Sequence, residues 1–134
     1  MNTKRSASGT FDVKTTPQPA DDNAAGIGRL SLDKKFYGDL EGSSLGEMLA
    51  IGTEVAGSAG YVAMERVSAK LDGRNGTFAL QHIGVMNRGV AELRVTVVPD
   101  SGTGELAGLS GKMDIKITEG QHFYEFDYQF SDAA

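Results

Sequence analysis

Apolar and polar residues alternate with a period of two along most of this chain, once its polar first residues are passed. This alternation is typical of β-strands that bury one side and expose the other. We therefore predict strands over residues 8–15, 27–37, 40–51, 58–71, 77–87, 90–98, 111–118 and 121–130. Eight short strands predict an all-β fold, either a closed barrel or a sandwich.

The segment 40–51 carries a competing helical signal. Ser44 and Glu47 are spaced as in a capping box, and the residues that follow favour a helix. Gly42 and Gly46 weaken that helix, because a glycine inside a helix costs about 1 kcal/mol relative to alanine. We predict a strand here, with a helix as the alternative.

The length of 134 residues suits a single domain with its own core. We divide the chain into a flexible N-terminus, residues 1–7, and one barrel domain, residues 8–134. A polar loop with Pro17 and Pro19 separates the first two strands, because proline interrupts a regular strand.

Three predicted turns set the register of the later strands. Asn75-Gly76, Arg88-Gly89 and Glu119-Gly120 each join two alternating segments, and Asn-Gly is the strongest of these signals. In all three hairpins the apolar residues fall on one common face, as a buried interior requires. With the Asn75-Gly76 turn, Glu65 and His82 stand about 13 Å apart, and a four-residue turn there brings them to about 7 Å. Neither register puts the two side chains in direct contact.

The same alternation directs a few polar side chains toward the interior of the barrel. They are Glu65, His82 and His122, with the hydroxyls of Tyr61, Tyr124 and Tyr128. A buried carboxylate or imidazole must find a partner or shift its pKa. These groups are therefore candidates for ligand binding or acid–base chemistry. The alternative is a structural hydrogen bond at the barrel wall and, for His122, exposure beside a turn.

Composition narrows the classes of function. The chain has no cysteine, and its two histidines alone are a poor basis for a metal site, so we predict no metal and no cofactor. The net charge is −5 and the basic residues are scattered, which argues against nucleic acid as a partner. The start of the chain lacks the apolar run of a signal peptide, and no segment is apolar for long enough to span a membrane. We predict a cytoplasmic protein with no membrane partner.

The stretch from Val97 to Gly111 is the most distinctive part of the sequence. Four glycines, at positions 102, 104, 108 and 111, follow Pro99 between two alternating segments. This is typical of a tight barrel corner, where glycine lets strands approach closely. Gly102 and Gly104 with Ala107 fit the permissive dinucleotide-binding pattern, but a strand follows instead of the helix that this pattern requires.

Together with this corner, the segments Ser31–Glu41, Gly57–Val67, Phe78–His82 and Phe123–Tyr128 carry a family resemblance. From Gly26 to Phe130 the chain resembles a bacterial family catalogued as domain of unknown function 3224. That family is similar to the allene oxide cyclase and dirigent group, so the resemblance implies an eight-stranded antiparallel barrel. Proteins of that group hold apolar, oxygenated small molecules in the barrel and steer ring closure or coupling.

We therefore expect a barrel that binds a small, apolar or oxygenated molecule in its lumen. The predicted ligand-binding residues are Tyr61, Glu65, Phe78, Leu80, His82, Met86, Val95, Met113, Tyr124, Phe126 and Tyr128. An enzymatic version, of the cyclase or isomerase kind, would use His82 as acid or base, with Glu65 or a tyrosine orienting the substrate. The alternative function is a non-catalytic assembly module with a filled barrel.

The outward side of the fifth predicted strand carries Ala79, Ile83 and Val85, with Val98 beside them. A contiguous apolar stripe on a protein surface usually marks an interface. The resembling cyclase and dirigent proteins also associate through their barrel walls. We therefore predict a homo-oligomer, a dimer or a trimer, with the fifth strand near the contact.

Overall fold

The computed structural model describes residues 4–19 and 26–131, which form a closed barrel of eight antiparallel strands. The strands are β1 (Arg5–Pro17), β2 (Gly28–Gly38), β3 (Leu40–Gly52), β4 (Ala59–Leu71), β5 (Arg74–Asn87), β6 (Val90–Val97), β7 (Leu109–Thr118) and β8 (Gln121–Phe130). Each strand pairs with the next one in sequence, and β8 closes the ring by pairing with β1. A short 3₁₀ helix, Gly104–Leu106, lies between β6 and β7. No helix in the described ranges is long and apolar enough to cross a membrane.

The predicted barrel and its eight strands are confirmed, and the ambiguous segment 40–51 is a strand, β3. Gly46 of β3 pairs with Glu65 of β4, and a Cβ on Gly46 would come within 2.7 Å of the Glu65 Cβ. The glycine that weakens a helix is therefore required by the sheet. β1 begins at Arg5, so the barrel includes part of the predicted flexible N-terminus. Residues 1–3 of that N-terminus lie outside the described residues.

The predicted hairpin registers at Arg88-Gly89 and Glu119-Gly120 are confirmed. His82 pairs with Val95 across the first turn, and Met113 pairs with Phe126 across the second. Because side chains alternate along a strand, these pairs fix which residues of β5 to β8 face the lumen.

The predicted turn between β4 and β5 is wrong. Asp72 and Gly73 make this turn, and their φ values of 47° and 88° are both left-handed, as a tight two-residue hairpin requires. Asn75 and Gly76 lie within β5 instead. Gly76 is needed there because the Thr103 carbonyl oxygen occupies the space that a side chain would take. The register moves by an even number of residues, so the predicted inward side chains still face inward.

One half of the barrel is filled by its own side chains. Leu106, from the 3₁₀ helix, closes this end and is fully buried. The Tyr124 hydroxyl accepts a hydrogen bond from the Leu40 amide at 2.9 Å and donates one to the Tyr37 carbonyl at 2.9 Å. The core comprises Ala7, Phe11, Phe36, Leu40, Val67, Leu71, Phe78, Leu80, Val95, Val97, Leu106, Leu109, Met113, Tyr124, Phe126 and Tyr128.

The other half of the barrel is open. Met86, Leu93 and Ile117 face the lumen by strand alternation, yet they are 44%, 41% and 64% exposed. Within the described range 90–118, β6 and β7 pair at Val95–Met113 and at Thr96–Lys112, and toward the open end the two strands separate. The barrel therefore has a packed end and an open, apolar end, and the candidate site lies where the two meet.

Candidate functional site

A cluster of four polar side chains lies in the lumen beside the packed core. Lys34 of β2, Ser44 of β3, Glu65 of β4 and His82 of β5 are 6%, 2%, 2% and 3% exposed. Each one occupies an inward position of a regular strand, where strand alternation directs its side chain into the barrel. Four strands of one sheet therefore position this group, which we call the polar cluster.

Within the polar cluster, Lys34 and Glu65 form an ion pair that passes over β3. The Lys34 Nζ lies 2.8 Å from the Glu65 Oε2, although β3 separates the two strands. Gly46 of β3 pairs with Glu65 and has no side chain to stand between the two groups. The Lys34 ammonium also lies 5.0 Å from the centre of the Phe11 ring, a favourable cation–π contact.

His82 approaches the same carboxylate from β5. Its Nε2 lies 3.7 Å from the Glu65 Oε2, and its ring centre lies 6.4 Å from that of Tyr61. Glu65 pairs with Leu80 and Ala63 pairs with His82, so Glu65 and His82 are diagonal neighbours. The two residues are therefore two positions apart along the strands, about 7 Å, and the value of about 13 Å predicted from the Asn75-Gly76 turn is wrong. The prediction that the two side chains are not in direct contact is also wrong, because the side chains themselves span that offset.

The electrostatics of the polar cluster keep Glu65 ionised and Tyr61 protonated at neutral pH. Burial alone raises the pKa of the Glu65 carboxyl, but the neighbouring His82 and Lys34 outweigh burial and hold this pKa below its ordinary value. Burial, and then the negative charge of Glu65, raise the pKa of the Tyr61 hydroxyl above its ordinary value. The lumen thus holds a carboxylate beside an ammonium, with a neutral phenol close by.

Several buried polar atoms of the polar cluster have no hydrogen-bond partner among the described residues. They are Ser44 Oγ, His82 Nε2 and the two Glu65 oxygens, of which Oε2 has the Lys34 ammonium as its ion-pair partner. Folded proteins rarely leave such atoms unpaired, because each unmade hydrogen bond costs about 1–3 kcal/mol. No three acidic or histidine side chains among the described residues come together to hold a metal ion. The polar cluster is therefore equipped for hydrogen bonding to a further group.

An apolar cavity of about 470 Å³ opens at the unfilled end of the barrel. Inward residues of β3 to β6 line it, among them Met48, Ala50, Tyr61 and Met86. The Tyr61 ring packs against Gly84, in the space that a side chain at that position would fill. Because Tyr61 contacts both the cavity and His82, it lies between the cavity and the polar cluster.

The connection between β3 and β4, residues 53–58, forms one wall of this cavity and includes Val55. Two hydrogen bonds tie the connection to the hairpin between β5 and β6. The Gly89 amide donates to the Gly57 carbonyl at 3.0 Å, and the Arg88 amide donates to the Ser58 hydroxyl at 3.0 Å. The cavity wall is therefore joined to the rim of the barrel.

The structure distributes the predicted ligand-binding residues over three regions. Glu65 and His82 belong to the polar cluster, and Tyr61 and Met86 line the cavity. His122 is half-buried, with its ring centre 4.9 Å from that of Phe11. The others lie in the packed core, and these are Phe78, Leu80, Val95, Met113, Tyr124, Phe126 and Tyr128.

Sequence reasoning missed Lys34 and Ser44, although both carry a readable signal. Lys34 alternates with Leu32 and Phe36, which places it on the same inward face of β2. Ser44 follows Leu40 in the same way on β3. A charged residue in an inward row of a predicted strand indicates a buried partner, because an unpaired charge inside a barrel is costly.

The predicted apolar stripe on the outer wall is confirmed at Ile83 and Val85, which are 54% and 49% exposed, and is wrong at Ala79, which is 8% exposed. The chain that follows β6 folds back over Ala79. The Val98 amide donates to the Ala79 carbonyl, and the Ala79 amide donates to the Ser101 hydroxyl. Ala79 is therefore covered by the protein itself, and Val98 is half-buried.

The exposed apolar surface extends across β4 and β3 instead. Leu49, Val62 and Ile83 lie side by side in the register of β3, β4 and β5. We call this surface the apolar face, and it consists of Leu45, Leu49, Ile51, Val62, Met64, Ile83 and Val85, all between 45% and 67% exposed. It lies on the outside of the same strands that line the cavity.

Comparison with known proteins identifies one family. The sequence profile described as "Protein of unknown function (DUF3224)" matches residues 7–128. A crystal structure of a protein with unknown function from the DUF3224 family of Shewanella oneidensis MR-1 is similar to this chain, with a TM-score of 0.90 and 52% sequence identity. The match covers 97% of this chain and 100% of that chain. No curated protein matches the sequence.

Proposed function

This chain belongs to the DUF3224 family of proteins of unknown function, and we propose that it binds a small, largely apolar molecule in the open half of its barrel. The cavity of about 470 Å³ carries the proposal, since it falls within the size range of small-molecule sites. Met86 and Leu93 leave apolar surface exposed inside the lumen. A ligand that covers this surface would gain the free energy of apolar burial.

The family resemblance supports the same proposal. The corner from Val97 to Gly111 resembles the allene oxide cyclase and dirigent group, whose members hold apolar, oxygenated small molecules in their barrels. Function inferred from a shared fold is an analogy, so the cavity remains the stronger support. The cytoplasmic location and the lack of nucleic-acid and membrane partners stay predictions from the sequence.

The pKa directions at this site argue against Glu65 and Tyr61 as the general acid or base. A general acid or base works best with a pKa near the operating pH. The pKa of the Glu65 carboxyl is lowered by His82 and Lys34 against the effect of burial, and burial with the Glu65 charge raises the pKa of Tyr61. The pKa of Glu65 is thus shifted further below neutral pH, and the pKa of Tyr61 further above it. A catalytic role would rest on His82, whose Nε2 faces Glu65.

Filling the cavity tests the proposal. Ala50 faces the cavity, whereas its neighbour Leu49 faces outward and is 45% exposed. We expect N-phenyl-1-naphthylamine, an uncharged apolar dye, to increase its fluorescence with the native protein. Ala50→Phe should weaken this binding by about tenfold or more, because the new ring takes up ligand space. Leu49→Phe should bind the dye as the native protein does. No fluorescence increase with the native protein would contradict the proposal.

The apolar face supports a second candidate function, that of an assembly module. Leu49, Val62 and Ile83 form a contiguous exposed row, and contiguous apolar patches usually mark interaction sites. The occupant we propose is a second copy of this chain, in a dimer or a trimer. Light scattering that gives a mass above 14.2 kDa would support assembly, and assembly is compatible with a ligand in the lumen.

A further inference from the structure

We propose that the ligand of the open lumen carries a hydroxyl group that enters the polar cluster, so that the ligand class is a neutral alcohol or phenol with an apolar body. This inference deepens the proposed function and rests on it. The juxtaposition of an apolar cavity with buried, unpaired polar atoms carries it.

The unpaired atoms call for a group that both donates and accepts hydrogen bonds. Glu65 Oε1 is a carboxylate oxygen and can only accept, whereas the Ser44 hydroxyl can donate. Because Gly46 pairs with Glu65, Ser44 is a diagonal neighbour of Glu65 on the same face of the sheet. The backbone positions of diagonal neighbours lie about 7–8 Å apart, and both side chains project into the lumen, where one hydroxyl oxygen between them can bond to both. A ligand hydroxyl would donate to Glu65 Oε1 and accept from Ser44.

The polar cluster is within reach of a molecule that occupies the cavity. Gly84 lines the cavity and is the inward residue next to His82 on β5. Met48 lines the cavity and is the inward residue next to Gly46 on β3. Successive inward residues lie about 7 Å apart along a strand, so His82 is about 7 Å from Gly84. Ser44, two inward positions from Met48, is about 13 Å from it. The ligand would pass the edge of the Tyr61 ring.

Charge favours a hydroxyl over a carboxylate or an amine. The Lys34 ammonium already has Glu65 as its partner, so a ligand carboxylate would meet the negative charge of Glu65 without a free cation to offset it. A ligand ammonium would be repelled by Lys34 and could not accept from Ser44. A neutral hydroxyl avoids both repulsions and fits both unpaired groups.

Four ligands with the same two-ring body test whether the site prefers a hydroxyl group: naphthalene, 1-naphthol, 1-methoxynaphthalene and 1-naphthoate. We expect calorimetry to show that 1-naphthol binds about tenfold or more tightly than naphthalene, because it bonds to a charged acceptor. The methoxy compound cannot donate to Glu65 and should bind like naphthalene. Equal affinities for all four ligands, or tightest binding of 1-naphthoate, would overturn the inference and leave the proposed function standing. If none of the four binds, the proposed function itself fails.

A Ser44→Ala variant distinguishes a ligand contact from a structural role. The Ser44 hydroxyl has no partner among the described residues, so its removal should not lower the free energy of unfolding in urea. We expect the variant to weaken binding of 1-naphthol severalfold and to leave naphthalene binding unchanged. Ser43→Ala, at the adjacent outward position, is the matched control and should change neither affinity. Unchanged 1-naphthol affinity in Ser44→Ala would overturn the proposed hydrogen bond.

Discussion

Lys34 holds Glu65 from across a strand, with 2.8 Å between Nζ and Oε2 and Gly46 of β3 between the two strands. Both side chains are almost fully buried, so neither charge has water to stabilise it. Removing one partner of a buried ion pair leaves the other charge buried without compensation. Replacing both partners with neutral residues leaves no buried charge. The pair therefore makes the two residues energetically dependent on each other.

We expect Lys34→Met to lower the free energy of unfolding by about 3–5 kcal/mol, because it leaves the Glu65 charge buried and unpaired. The double variant Lys34→Met, Glu65→Gln should recover most of this loss. Urea denaturation measures both. Lys35→Met, at the neighbouring exposed position, is the control and should stay within about 0.5 kcal/mol of the native protein. A native-like urea midpoint for Lys34→Met would show that the ion pair contributes nothing to folding.

A second prediction concerns Tyr128 at the packed end of the barrel. Its hydroxyl donates a hydrogen bond to the carboxylate of Asp72, in the turn between β4 and β5. Burial and then this bond raise the pKa of Tyr128 from 10.0 to about 12. Folding thus favours the protonated phenol, and this part of the stability is complete below pH 10 and is lost as the pH rises through about 12.

Ultraviolet titration of the phenolate measures this shift, and a difference spectrum against Tyr128→Phe assigns it to the residue. We expect Asp72→Asn to move the pKa back toward 10.0, because the carboxylate that holds the proton is gone. An unchanged titration in Asp72→Asn would contradict the role given to this hydrogen bond.

The inward positions of Glu65 and His82 could be predicted from the sequence, but their contact could not. Inward and outward positions alternate along a strand. Moving the turn by an even number of residues therefore leaves the same residues facing inward. The distance between the two residues depends on the turn itself, and the chain offers both Asp72-Gly73 and Asn75-Gly76. Packing of the Thr103 carbonyl against Gly76 is a contact across the fold, which neighbouring residues in the sequence do not reveal.

The division of the lumen into a packed half and an open half could not be predicted either. It depends on where β6 and β7 stop pairing and on Leu106 closing one end. The burial of Ala79 likewise depends on the chain after β6 folding back, as the bond from the Val98 amide shows. Each of these features is set by contacts between distant segments, whereas the eight strands follow from local alternation.

The last prediction tests the apolar face. Ile83 lies on β5, at one side of this face, between Val62 on β4 and Arg94 on β6 in the register, and is 54% exposed. We expect Ile83→Glu to dissociate the homo-oligomer, because a carboxylate buried in an apolar interface loses its hydration without gaining a partner. Since the side chain points outward, the monomer should keep its fold and its urea midpoint.

Phe123→Glu provides the matched control for Ile83→Glu. Phe123 is also apolar and outward-facing, at 42% exposure, but it lies on β8, away from the apolar face. Light scattering at tens of micromolar chain should show a smaller mass for Ile83→Glu and an unchanged mass for Phe123→Glu. A native protein that already scatters as a 14.2 kDa monomer would rule out this interface. An interface centred on β3 to β5 should be sensitive to Ile83→Glu and insensitive to Phe123→Glu. If both substitutions dissociate the oligomer equally, the interface is not at the apolar face.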